Sequence, residues 1–354
     1  MSAFKDNSGK ISASTFKETL FPKCGYKRKE VLTGPEFGVD TAVIDIGNNM
    51  AMAVSSDPLS LIPSLGLQES AWLSVHLLAN DMATTGFAPM YAQFVLNLPA
   101  SLSLPDFEEY WAYIHQYCKD IGVAITGGHT CQIEGQNSTV SGGGTMFLTA
   151  PKGQIITSNG AQPGDLIVVT KETALVSSSI LAMSFPETVK KELGKESLET
   201  AIENFYHTSS LHDALCAAHV LQPNSELKAM HDVTEGGIIG AICEVARASD
   251  CGFKIYDELI PIGEVQKQIT RFFKIDHRYS VGAGSMIMII KKGSEDKLVN
   301  HLADKNVKAT LVGKMTTKNK GYRIIEEDEE KVIDFNGTDP YWEAFFSAYK
   351  KGLK

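Results

Sequence analysis

The stretch that most constrains this 354-residue chain is residues 38–57, GVDTAVIDIGNNMAMAVSSD. Two runs of strand formers, residues 41–46 and 50–55, flank Gly47-Asn48-Asn49, which tolerates the positive φ of a tight hairpin turn. With Asn48-Asn49 as a two-residue loop, Gly47 falls opposite Met50 and Asp40 opposite Asp57 at the open end. Two carboxylates so placed repel unless a cation sits between them. The alternative is two acids solvated separately at strand ends, and a one-residue slip in register would also part them.

The length fits two domains with sizeable cores, and 43% hydrophobic with 21% charged residues is ordinary for a soluble globular protein. A net charge of −9 and a pI near 5.5 exclude a general nucleic-acid surface, which needs a basic patch. An anionic ligand must then be held by backbone N–H groups, local cations or metal ions. The six cysteines (24, 118, 131, 216, 243 and 251) form no CxxC pair. With a polar start, MSAFKDNSGK, and no leader pattern, reduced thiols in a cytoplasmic protein are expected. No apolar run approaches the roughly 18–20 residues of a membrane span.

Lys27-Arg28-Lys29 could meet phosphates or simply form a solvated face. A helix is expected over 68–85, closed by Gly86, with Trp72, Val75, Leu78, Ala79 and Met82 on its apolar side. It also carries His76, Asn80, Asp81, Thr84 and Thr85. Asn and Asp weaken a helix interior, so this set favours a ligand role over a plain solvent stripe. A strand is expected at 90–98, a helix at 105–121, and a short strand at 123–126 running into Gly127-Gly128-His129-Thr130. Paired glycines there either admit an anion to the backbone or merely turn the chain. The Gly- and Pro-containing stretch 151–163 divides the chain into domains 1–155 and 156–354. In the second half, a strand (166–170) precedes helices at 173–184, 186–205 and 211–220. Residues 228–249 read as strand, turn and helix, with Asp232 and Thr234 in capping positions and Gly236-Gly237 opening the first turn. That is an anion site at a helix N-terminus or a well-capped helix packed on a sheet. A buried strand ends the stretch 280–290, a helix and edge strand follow over 292–312, then an acidic surface run (326–331) and an aromatic helix (341–354).

Gly38-Val39-Asp40, Ser55-Ser56-Asp57, NDMATTGFAP (80–89), TGGHT (126–130) and HDVTEGG (231–237) occur in the order seen in the ATP-dependent aminoimidazole ribonucleotide (AIR) synthase-related superfamily. The chain resembles that superfamily over roughly residues 30–315, and most nearly its hydrogenase-maturation-factor-like branch. The resemblance implies a two-domain α/β (α+β) fold whose N-terminal domain pairs with a second copy into a barrel, giving a homodimer with ATP between the domains. By position it implies magnesium binding by Asp40, Asp57 and Asp81. It implies nucleotide contacts from Asn80, Gly127, Gly128, His129 and Thr130, and cleft closure by Asp232, Thr234, Gly236 and Gly237. ATP and Mg2+ are the expected cofactors, since magnesium takes a few carboxylates plus phosphate oxygens and water. The expected reaction phosphorylates an oxygen of a small substrate, with no protein nucleophile. A true AIR synthase and a non-catalytic nucleotide-binding partner in a maturation pathway are the alternatives. Relatives often carry a second acid where this chain has Val39, an Asp where it has His129, and in some cases an Arg where it has Glu235. The last cysteine is Cys251, so the terminal-cysteine dehydration of the hydrogenase maturation factor is not expected.

Overall fold

The computed structural model describes residues 10–335 and 337–354; the polar start at residues 1–9 lies outside them. The first sheet contains β1 (Val31–Thr33), β2 (Ala42–Gly47), β3 (Met50–Ser60), β4 (Tyr91–Pro99), β5 (Ala124–Ile133) and β6 (Val140–Pro151), in the order β1-β2-β3-β6-β4-β5. Along β3 the side chains alternate, with Ala51, Ala53 and Ser55 buried and Met52 and Val54 half-buried, as a one-sided sheet requires. The helices Leu67–Ala83 and Leu104–Asp120 cover the buried face, and Leu78, Met82, Phe94, Leu96, Ile114 and Met146 form the core between them. Tyr91 and Val95 remain exposed on the opposite face of β4.

The hairpin forms with Asn48 and Asn49 both at positive φ, 51° and 60°, the mirror-image turn that matches strand twist. Its register differs from the expected one. Gly47 pairs with Met50, but an irregularity before Gly47 brings Asp45 opposite Ala51 and Ala42 opposite Val54. This one-residue slip moves Asp40 off the position facing Asp57; on the other side of β3, Asp57 pairs with Gly144 of β6.

The TGGHT segment also differs, being strand rather than turn. Gly127 to Thr130 lie within β5, parallel to β4. At Gly128, φ is +144° and a Cβ would lie 1.8 Å from the Phe94 carbonyl oxygen, so the close approach of the two strands demands glycine.

The second sheet contains β7 (Leu166–Thr170), β8 (Leu227–Asp232), β9 (Cys251–Tyr256), β10 (Met286–Ile290), β11 (Ala309–Thr317), β12 (Tyr322–Glu326) and β13 (Glu329–Val332), ordered β13-β12-β9-β11-β7-β10-β8. Alternate residues of β7 serve two cores. Ile167 and Val169 pack with the helix Gly237–Ala248, whereas Val168 packs with the helices Leu211–Val220 and Glu295–Asp304. Covered on both faces, the interior strands read as continuous apolar runs. β11, expected at an edge, lies between β9 and β7. The acidic run 326–331 forms the β12–β13 hairpin at the true edge.

A candidate metal and nucleotide site between the domains

Four carboxylates from the two sheet-containing domains, Asp40, Asp57, Asp81 and Asp232, lie near enough for their charges to act on one another. Asp57 and Ser55, two apart on β3, lie on the face toward the helix Leu67–Ala83. From that helix Asp81 accepts a 2.6 Å hydrogen bond from the Ser55 hydroxyl. Asp40 precedes β2, and Asp232 ends β8. Gly38 brings the first of these segments across. Its φ is +84°, and a Cβ would stand 2.8 Å from the Cβ of Glu244 on the helix Gly237–Ala248. The entry to the hairpin is thus laid directly on the second domain.

His231 then grips Asp40. Its Nδ1 lies 2.6 Å from Asp40 Oδ2 and its Nε2 2.9 Å from Glu244 Oε2. Carboxylates only accept, so both ring nitrogens donate and the ring is an imidazolium. Burial alone would lower its pKa, but the charges and hydrogen bonds of Asp40 and Glu244 raise it to about 10. Glu244 is pulled down to about 2, against burial, by Lys10 and His231. Lys10 Nζ completes the row at 2.9 Å from Glu244.

The remaining carboxylates have compensation too weak to offset burial and mutual repulsion. Burial, then the charges of Asp81 and Glu235, holds Asp57 well above the usual carboxylate range. Burial, then Asp232 and Asp40, does the same to Asp81. Burial, then Asp40, pushes Asp232 up to about 8. Both Asp232 oxygens are buried without a hydrogen-bond partner, a costly arrangement unless a cation supplies what is missing.

Asp40, His231 and Asp232 bring potential ligand atoms within 4.8 Å of one another. The histidine is nonetheless no ligand, because both nitrogens are already donating. The donors left over are carboxylate oxygens, the set a hard divalent cation such as Mg2+ prefers. Asp40 and Asp232, whose oxygens come within 4.8 Å of each other, would hold magnesium here, with His231 keeping the Asp40 carboxylate in place; Asp57 and Asp81 add negative charge around them.

The other expected site residues divide. Asn80 is fully buried, donates to the Thr208 carbonyl at 3.0 Å and accepts from the Ser210 N–H at 2.7 Å. Its amide fastens the first domain's helix to a second-domain loop, in a fully buried position. His76 is also structural: it stacks on Trp72 at 3.7 Å, and burial lowers its pKa to about 4. Thr84 and Thr85 donate to carbonyls of their own helix. Of that polar set only Asp81 enters the acid cluster. Across the first sheet, Asp57, Gly144, Phe94 and Gly128 form one row. Gly128 thus shares the acids' face about 14 Å away, as three strand spacings imply. His129 pairs with exposed Val95 and lies on the opposite face, so it does not take the place of a metal-binding acid within one chain. At the Thr234–Gly237 turn, the Gly236 N–H donates to Asp339 Oδ2 at 2.8 Å and Phe335 lies against the glycine. The expected anion position is thus filled by the chain's own carboxylate. Asp232 lies instead beside Asp40 and His231.

Sequence reasoning missed His231, Glu244 and Lys10. A glutamate inside the apolar helix GIIGAICEVARA was a legible sign of a buried ion pair, whereas Lys10 carried no signal.

Comparison with known proteins agrees with this architecture. The family model described as AIR synthase related protein, N-terminal domain, matches residues 38–147, and that of the C-terminal domain matches residues 162–326. A candidate hydrogenase expression/formation protein of Methanocaldococcus jannaschii is 25% identical, over 94% of this chain and 96% of its own. The thiamine-monophosphate kinase of Escherichia coli K12 is 24% identical, over 86% and 91%. Among solved structures, a HypE–HypF complex superposes with a TM-score of 0.70 at 18% identity, covering 90% of this chain and 99% of the other. HypE in complex with ATP gives 0.65 at 16% identity, covering 94% and 97%. With both of its family domains matched in order, the chain belongs to the AIR synthase related protein family.

Proposed function

We propose that this protein is an ATP- and Mg2+-dependent enzyme that phosphorylates an oxygen of a small substrate and so activates it for a later step. The observation that carries this reading is the partnerless Asp232 carboxylate among Asp40, Asp57 and Asp81, an all-oxygen set drawn from both domains. A magnesium ion held there would bridge phosphate oxygens and offset charge as the phosphoryl group moves. The names of relatives support the class, since they include a kinase and a protein solved with ATP. Their different substrates leave the acceptor as a small molecule carrying an amide-, carboxyl- or phosphate-type oxygen.

A homodimer belongs to this proposal. β5 is a free edge strand, and Tyr91 and Val95 leave the adjoining sheet face open, so a second copy would cover both. Gly127, Gly128, His129 and Thr130 are exposed on that edge, and we assign them nucleotide contacts only through such pairing. The HypE–HypF complex supports a protein partner in a maturation pathway. No helix among the described residues is long and apolar enough to cross a membrane, and six unpaired cysteines suit a cytoplasmic setting. Terminal-cysteine dehydration is not part of this proposal; Cys251 is buried at the start of β9.

A second reading, nucleotide binding without turnover, draws on the filled Gly236 turn and the committed Asn80 amide. Phosphate release from MgATP, followed against a panel of small carboxylates, amides and phosphate monoesters, separates the two. Substrate-stimulated release supports the enzyme, and tight binding with no release from any of them favours the second reading.

A further inference from the structure

Lys171 follows directly on β7, level with the start of β10 and with the end of β8, where Asp232 lies. Its side chain is only 20% exposed. The ammonium donates to the Ser209 carbonyl at 2.7 Å and to the Gly284 carbonyl at 2.9 Å, and it stands 3.0 Å from Asp213 Oδ2. Asp213 is itself 1% exposed. Burial lowers the pKa of the lysine, and the Asp213 carboxylate opposes this. The charge is thus balanced and its position fixed from three directions.

Each of the two carbonyls leads to a different acid. Ser209 lies between Thr208, whose carbonyl accepts the Asn80 amide at 3.0 Å, and Ser210, whose N–H donates to Asn80 Oδ1 at 2.7 Å. Trp72 Nε1 adds a bond to the Thr208 hydroxyl at 2.9 Å. Asn80 is the neighbour of Asp81 on the helix Leu67–Ala83. On the other side, Gly284 precedes Ser285, whose carbonyl accepts the Val233 N–H at 3.1 Å, and Val233 follows Asp232. The Ser285 hydroxyl donates to the Glu172 carbonyl at 2.7 Å, next to Lys171. The two segments also touch: at Gly284, with φ +112°, a Cβ would stand 2.7 Å from the His207 carbonyl oxygen. One ammonium therefore closes a chain of contacts from Asp81 in the first domain to Asp232 in the second.

We infer that Lys171 is a positioning residue. By holding Ser209 and Gly284 on one ammonium, it sets the separation of Asp81 and Asp232, and with it the affinity of the acid cluster for a metal–nucleotide complex. The inference rests on the ATP and Mg2+ reading above. Asp213 has the separate task of balancing the buried charge. Removing Lys171 alone leaves that carboxylate buried and unpaired, whereas removing both charges does not. Stability and metal binding can therefore be separated.

The test follows thermal melts, Mn2+ binding by electron paramagnetic resonance, and Mn2+-dependent binding of a non-hydrolysable ATP analogue by calorimetry. All are run on the full chain, on Lys171→Met, on Asp213→Asn and on the double variant Lys171→Met/Asp213→Leu. Lys171→Met should melt at a lower temperature and bind Mn2+ and the analogue about ten-fold or more weakly. The double variant should regain melting temperature yet keep the weakened binding. Recovery of both together would mark a purely structural ion pair and overturn the inference, as would wild-type Mn2+ affinity in either variant. Asp213→Asn keeps the ammonium and both carbonyl bonds, so it should bind Mn2+ about as tightly as the wild type; a loss equal to that of Lys171→Met would overturn the inference too. If the variants lacking Lys171 do not fold, hydrogen exchange of the wild type decides. Mg2+ with the analogue should slow exchange over residues 207–210, which hold no acid, together with 231–235; protection of 231–235 alone overturns the inference. A wild-type protein that binds no analogue in the presence of Mn2+ would overturn the functional reading itself, a result visible before any variant is compared.

Discussion

Asp232 carries the strongest residue-level expectation. Burial and the Asp40 charge push its pKa up from the ordinary 3.8 to about 8. A raised acid costs stability once the unfolded group ionises, so the penalty grows from about pH 4 to pH 8 in metal-free protein. Asp232→Asn should therefore stabilise the metal-free protein near pH 7 by about 2–4 kcal/mol. It should make little difference near pH 4 and abolish the shift in melting temperature that Mg2+ gives the wild type. Calorimetric melts at the two pH values check this, and a variant less stable at both would contradict it. His231 has the opposite sign. Its pKa is raised from 6.5 to about 10, so its contribution is complete below about pH 6.5 and disappears as pH climbs through 10. Glu244, lowered to about 2, contributes above about pH 4.5 and loses this as pH falls through 2. Denaturant titrations should find His231→Gln about 3 kcal/mol less stable between pH 5 and 6.5, with the gap narrowing by pH 9. A constant gap would mean that packing, rather than charge, is lost.

At the scale of elements, the hairpin shows what local chemistry can and cannot specify. The Asn48-Asn49 turn followed from the sequence, because few residues accept positive φ in succession. The irregularity beside Gly47 did not, and it moved Asp40 out of line with Asp57. What ties Asp40 to the second domain is His231 with Glu244, which lie on β8 and the helix after it, nearly two hundred residues away in sequence. Long-range pairing of this kind leaves only indirect traces, such as a glutamate in an apolar helix. The polar set on the helix Leu67–Ala83 suggests a ligand role from sequence, with Asp81 about 100° round from the stripe of Asn80. In three dimensions Asn80 turns toward the second domain and Asp81 toward β3, a division set by the 100° step of the helix. The paired glycines of β5 illustrate the same point, since glycine there serves strand approach rather than a turn. Gly128→Ala should cost about 2–4 kcal/mol because its Cβ meets the Phe94 carbonyl. A thermal melt within one degree of wild type would contradict the close approach.

For the whole molecule, the two sheets and the elements around them bring acids from both halves of the chain together. The open face of the first sheet predicts a particle of twice the 38.5 kDa chain mass in sedimentation equilibrium at micromolar concentration; a monomer there would contradict the proposed pairing. The central claim is narrower: carboxylates from both domains hold a divalent cation that a nucleotide shares. Its most direct test is calorimetric titration of ATP into the wild-type protein, once with Mg2+ and once with chelator. The account predicts saturable binding with Mg2+ and at least about ten-fold weaker binding without it. Equal binding in both conditions, or no binding at millimolar ATP, would contradict it.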